Sequence, residues 1–455
     1  MTERWKKRLS TYKELLKASL PAAIDMSSQP LVWLYEAFLL GRLSFSALGS
    51  VGLALQLILI TMTVVITFII GSSLIINRHL GKKDSWQANH ILGQSVMLGL
   101  GLSVVIGFMW FFSAPLLFKV IKETEPNIVS AQDYGIRYLQ TLAFFAPVII
   151  PSFLALGIIR ATGDSRYALI INGVIIGINI FLAPLLMFGE LGFPRLEVFG
   201  LALAKGIAYT VGFILTLIVL RSRKCCLFLS FRETATPNWN SVKELFRKGI
   251  PTTVEQLSWS VGQFIVSGYA ARLGIVVLTT HQILLLLQMV MSMCYQGFGI
   301  SSMALVGKNV GAEDRRSAER TGLAASGIVL FFVLLIVWGM YAFRVEILQI
   351  FTKSPDVFAL GLSVILIFSF VQIPKALNAV IIGNLRGAGE LYWVMWITIA
   401  SVIIFEISAS WVIVFVYQFA LAGIWVVHGF DEASRLICNF IRFRTGKWRF
   451  RSINI

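Results

Sequence analysis

Apolar runs of about 20 residues recur from one end of this chain to the other, each long enough to cross about 30 Å of hydrocarbon as a helix. In lipid a spanning segment must satisfy its own backbone polar groups, so such runs become α-helices. Composition supports this reading of the whole chain. Only 14% of the residues are charged and 57% are hydrophobic, with a mean hydropathy of +0.80; a soluble domain carries about 25% charged residues. The sequence predicts an all-α integral membrane protein with twelve transmembrane helices. They are placed at 15–40, 46–76, 91–118, 133–158, 167–188, 198–220, 248–272, 276–306, 321–346, 356–383, 392–416 and 420–441.

The net charge of +16 would suggest nucleic acid in a soluble chain. In a membrane chain, basic residues collect in the loops that stay inside. With the N-terminus inside, the cytoplasmic loops and tails, which include NRHLGKKD, RSRKCC, FRKG, GKNVGAEDRR and the tail RFRTGKWRFR, hold 28 of the 39 Lys and Arg. The opposite loops hold Arg42, Lys119, Lys122, Arg195, Arg272, Arg344 and Lys353. This asymmetry predicts a multi-pass protein of the cell (inner) membrane with both termini cytoplasmic. Its partners are the lipid bilayer and small organic molecules, not nucleic acid, and a monomer is expected. The start, MTERWKKRLSTYKELLKASLPAAID, reads as a cytoplasmic lead-in and not as a signal peptide. The four cysteines, Cys225 and Cys226 adjacent among them, have no zinc or redox spacing.

The halves repeat. At an offset of 230 residues, Pro21 meets Pro251, Asp25 meets Glu255, Ser28 meets Ser258, and Arg42-Leu43 meets Arg272-Leu273. Ser72 then meets Ser302, Gly81 meets Gly311, Asp84 meets Asp314 and Ala88 meets Ala318. Later GIIRATGD (157–164) matches GNLRGAGE (383–390), and Gly200 matches Gly423. The expected organisation is a six-helix lobe over 1–221, a cytoplasmic linker over 222–246, and a second six-helix lobe over 247–455. Parallel six-helix repeats imply pseudo-twofold symmetry about the membrane normal and a cavity between the lobes, an arrangement of transporters.

On these motifs the chain resembles the multidrug and toxic compound extrusion (MATE) family, over nearly its whole length. The resemblance is carried by the paired repeats, P-x-x-x-[DE] in spans 1 and 7, the G-R-L turn after span 1, HLGKKD and NVGAED, and RATGD and RGAGE. It implies exchange of protons or sodium for organic, often cationic, compounds by alternating access.

Ionisable residues inside spans are functional candidates by default. Asp25 and Glu36 on span 1 are eleven residues apart, so they share a face about 16 Å apart. Asn172 and Asn179 share a face of span 5. Span 6 carries Lys205; span 10 carries Lys375 and Asn378; Glu406 and His428 follow on spans 11 and 12. By resemblance, Glu36 and Asn179 match the family's N-terminal cation or proton site, and Glu255 matches a glutamate of one of its branches. Three positions depart: Ala183 stands where the family has an aspartate, Lys205 where it has a threonine, and Lys375 where that branch has an aspartate. A hard cation such as sodium wants several oxygen ligands and no ammonium beside them. No cofactor or metal is expected, and a proton is favoured over sodium as the coupling ion.

The coupling residues are therefore expected to be Glu36, Asn179, Lys205, Glu255 and Lys375. Asp25, Asn172, Asn378, Glu406 and His428 stand behind them. Lys205 is expected to neutralise Glu36 or Asp25, and Lys375 to neutralise Glu255. Pro21, Pro251 and Pro374 are expected to interrupt their helices and serve as hinges. The function implied is a secondary antiporter that exports hydrophobic compounds. An alternative is a flippase or exporter of an anionic lipid-linked or phosphorylated substrate, which the two lysines would suit. An intramembrane enzyme would need a catalytic pair, an acidic metal cluster or a cofactor motif, and the sequence offers none.

Overall fold

The computed structural model describes residues 3–119, 131–222, 224–230, 238–446 and 448. Lys122, part of the 222–246 linker and the end of the RFRTGKWRFR tail lie outside the described residues. Among those described, twelve long helices and one short one follow in order, with no strand. They are α1 (Glu3–Leu43), α2 (Phe45–Gly81), α3 (Ser85–Phe118), α4 (Ala131–Ala161), α5 (Ser165–Phe188), α6 (Glu197–Arg221) and α7 (Trp239–Arg272). After these come α8 (Ile275–Gly311), α9 (Arg315–Ala342), the short α10 (Arg344–Phe351), α11 (Pro355–Ala388), α12 (391–416) and α13 (Ala420–Arg444). Half of α12 is π-helical, over Val402–Ala409 and Val412–Val416.

Nine of these helices are long and apolar enough to cross a membrane. Large apolar side chains such as Phe108, Phe112, Phe144, Phe331 and Trp338 are exposed on them, the surface expected of a chain solvated by lipid. The other three, α1, α7 and α13, carry more charge. Both α1 and α7 start earlier than the apolar runs predict, at residue 3 instead of 15 and at residue 239 instead of 248, because amphipathic extensions continue the helix. Pro21, Pro251 and Pro374 do not end their helices, which remain helical on both sides of each proline.

The repeat is visible in the backbone. Asp84 caps α3 through the Gln87 amide at 3.1 Å, and its mate Asp314 caps α9 through the Ser317 amide at 2.9 Å. The residues just before them, Lys83 and Glu313, are both left-handed at φ 60°. Gly163 of RATGD and Gly389 of RGAGE are left-handed too, at φ 92° and 90°, a conformation glycine adopts at no steric cost.

The chain forms two compact units, Met1–Ser27 with Asn77–Lys83 and Ile250–Ile455, and Ser28–Ile76 with Asp84–Gly249. Their border does not fall simply at the linker, because the first helix of each half starts in the unit of the other. In the first unit, Leu15 and Ala23 of α1 pack among Tyr295, Phe298 and Val380, and Ser301 Oγ donates to the Ala18 carbonyl at 3.2 Å. A Cβ on Gly297 would lie 2.5 Å from Ala23 Cα. In the second unit the mirror contact holds: Phe246 of α7 meets Phe68 of α2 edge-on at 4.7 Å, and a Cβ on Gly71 would lie 2.8 Å from the Leu245 carbonyl oxygen. The linker's described part, 224–230, is hydrogen-bonded onto the second unit, with the Cys226 amide donating to Asp164 at 2.7 Å and the Phe228 amide to Asn89 at 2.8 Å.

Candidate functional site

Each unit encloses a buried polar centre. In the second unit, Glu36 of α1 sits among α4, α5 and α6. Its Oε1 accepts from Asn179 Nδ2 at 2.8 Å, and its Oε2 meets Lys205 Nζ at 2.7 Å. Lys205 also lies 3.5 Å from the hydroxyl of Tyr138, which is fully buried. The carboxylate side chain is 3% exposed and the lysine 14%. Both oxygens of Glu36 thus have a donor, while Asn179 Oδ1 is buried without a partner. Ala183, one turn beyond Asn179, contributes no oxygen and is fully buried. Of the two partners open to Lys205 in the sequence, the structure gives it Glu36. Asn172 is buried on α5; Asp25 is fully buried and belongs to the other unit.

The centre of the first unit differs from expectation. Lys375 Nζ meets Glu432 Oε1 at 2.9 Å, not Glu255, and it lies 5.5 Å over the ring of Trp259. Glu255 instead meets Arg386 Nη2 at 2.8 Å. The reason is axial position: Lys375 and Arg386 are eleven residues apart on α11, about 16 Å along the axis. Glu255 reaches the Arg386 end, and α7 presents Trp259, one turn further on, to Lys375. Arg386, of the RGAGE motif, thus holds a predicted coupling residue.

Lys375 belongs to a larger network on α13. Glu432 Oε2 accepts from Asn378 Nδ2 at 3.1 Å, and Asn378 Oδ1 accepts from Asn439 at 3.0 Å. Arg435 bridges Asp431 at 2.5 Å and Glu432 at 2.9 Å, and Ser401 Oγ donates to Asp431. His428 Nδ1 lies 2.5 Å from Glu406 Oε1, which brings together two residues placed on separate spans by sequence. Ligand atoms of Glu406, His428 and Asp431 lie within 4.8 Å of one another. Asp431, however, is already held by Arg435 and Ser401, so a metal ion would enter against a fixed positive charge.

Sequence reasoning missed Asp431, Glu432 and Arg435, and with them Tyr138, Trp259 and His281. The signal for the first three was present: three ionisable residues at i, i+1 and i+4 inside an apolar span. Their repeat positions are Ala208, Tyr209 and Gly212, so the comparison of halves gave them no charged mates.

Both halves of the repeat match the family model MatE, at residues 21–185 and 251–412. The probable multidrug resistance protein NorM of Thermotoga maritima is 26% identical over 445 residues, 97% of this chain and 94% of that protein. Among solved structures, an outward-facing multidrug resistance MATE family transporter of the MOP superfamily superposes with a TM-score of 0.87 at 20% identity, covering 98% of this chain and 97% of that one. A MOP superfamily transporter from Pyrococcus furiosus, described as having a reversed binding-pocket polarity that suggests a different function, gives 0.86 at 21% identity, over 96% of this chain and 95% of that one. These likenesses establish the twelve-helix transporter fold, and the model match across both halves settles the family: the chain belongs to the MatE family of membrane transporters.

Proposed function

We propose that the protein is a proton-driven antiporter that exports hydrophobic, often cationic organic compounds across the cell membrane by alternating access of its two lobes. In this reading it is a monomer, with both termini in the cytoplasm. The names of its relatives, multidrug resistance proteins among them, support multidrug efflux over a lipid-linked anionic substrate. The observation that carries the choice of ion is the pairing of Glu36 with Lys205 at 2.7 Å, with Asn179 on the other oxygen.

A sodium ion at Glu36 would share its carboxylate with an ammonium, and Ala183 withholds a further oxygen ligand. A proton needs only one oxygen of Glu36. Its arrival breaks the ion pair and leaves the Lys205 charge uncompensated, which disfavours a cationic substrate in the same unit. Its departure restores neutrality. Proton and cationic substrate thereby exclude one another, the condition for exchange. Glu255 with Arg386, and Lys375 with Glu432, are assigned supporting roles in coupling, and Pro21, Pro251 and Pro374 are assigned to the hinges.

The test is transport by protein reconstituted in proteoliposomes, driven separately by a pH gradient and by a sodium gradient. The pH gradient alone should drive transport of a lipophilic cation, and Glu36→Gln should abolish it. Transport driven by sodium alone would overturn the assignment of the ion.

A further inference from the structure

The centre of the first unit holds an uneven set of charges. Glu406, Asp431 and Glu432 are buried together with Lys375 and Arg435. Lys375 and Arg435 are engaged by Glu432 and Asp431. Three carboxylates against two fixed cations leave one negative charge in an interior where an uncompensated charge is costly. The carboxylate without a salt bridge to either cation is Glu406, and its partner is His428.

The contact between them has a defined chemistry. His428 Nδ1 lies 2.5 Å from Glu406 Oε1; an ionised Glu406 can only accept, so with Glu406 charged Nδ1 carries the hydrogen and Nε2 of the neutral ring holds a lone pair. Nε2 is buried and has no hydrogen-bond partner. A carboxylate that holds Nδ1–H stabilises the imidazolium formed when the other nitrogen takes a proton.

A second imidazole stands nearby. His281 of α8 is 2% exposed, and neither of its ring nitrogens has a hydrogen-bond partner. Its ring lies 5.7 Å from that of Trp425, which in turn lies 5.4 Å from the ring of His428, and it is within electrostatic reach of both His428 and Glu406. An imidazole left unpaired in an apolar cluster is costly and calls for an explanation. Glu406 itself lies on the π-helical stretch Val402–Ala409, a departure from α-helix that often accompanies functional sites.

We propose that Glu406 and His428 form a proton-binding site in the first unit, which takes up one proton at His428 Nε2. Uptake turns the neutral ring into an imidazolium and brings the net charge of the centre from minus one to zero. A second proton, on His281, would make it positive, so the site holds one proton at a time. The groups that face the pair are Asp431, Glu432 and Arg435 from α13, Lys375 from α11 and His281 from α8. As a step in coupling, the site rests on the antiport reading above; as a proton-binding site it stands without it.

The test is solid-state NMR of the full-length protein, labelled with nitrogen-15 histidine, in lipid bilayers. With four histidines in the chain, His428→Gln and His281→Asn assign the relevant signals. His428 should carry both ring protons at neutral pH and lose one as pH rises, a measurement that needs no variant. Glu406→Gln should cut its imidazolium population at pH 7 by about tenfold or more. A His428 ring that stays neutral from pH 5 to 8, an unchanged population in Glu406→Gln, or stoichiometric binding of cobalt ion by His428 would each overturn the proposal. If His428 titrates as described while no pH gradient drives transport, the antiport reading falls and the site remains.

Discussion

At the scale of single residues, Lys205 and Glu36 are most informative as a pair. Each is buried against the other, so removing one leaves a charge with no partner, which costs about 3–5 kcal/mol, whereas removing both is often close to neutral. Lys205→Met should therefore lower the thermal unfolding temperature in detergent, and Lys205→Met combined with Glu36→Gln should recover most of the loss. If the pair were helix glue alone, the double variant would still transport; in the antiport reading it is stable and inactive. Glu36, Asn179 and Lys205 were legible in the sequence because each is a polar residue isolated in an apolar span, and the resemblance aligned the first two. The partner of Lys375 was not legible. Glu255 and Glu432 are both acidic residues on neighbouring helices, and only their height along α11 decides between them.

At the scale of elements, the turns that repeat are the most constrained parts of the chain. Gly163 and Gly389 occupy equivalent left-handed positions after α4 and α11, and a side chain there costs about 1–2 kcal/mol. Gly163→Ala should lower stability by about that amount, read as a drop in unfolding temperature. Gly389→Ala should cost more, since its Cβ would also strike the guanidinium of Arg78. Such turns were visible as paired motifs because glycine and charge are rare in so apolar a chain. The π-helical stretch of α12 had no such marker. VIIFEISASWVIVFV reads as an ordinary span, and the widened turn is known only from the backbone that brings Glu406 to His428.

At the scale of the whole molecule, the twelve spans and the twofold repeat followed from hydropathy and offset, but the membership of the two units did not. Hydropathy finds where a helix crosses; it is silent about which half a helix end packs against. The orientation argued from the basic loops is checked by a reporter fused to either end, which should report cytoplasm in both cases. The crossing of α1 and α7 into each other's units also bears on how the protein is made. While only the N-terminal half has emerged from the ribosome, the face of α2 at Gly71 and Phe68 still lacks its cover, because Leu245 and Phe246 have not been synthesised. That half should be degraded when expressed alone. Supplied as two genes divided at the linker, the halves should rescue each other, each delivering the opening helical segment that completes its counterpart.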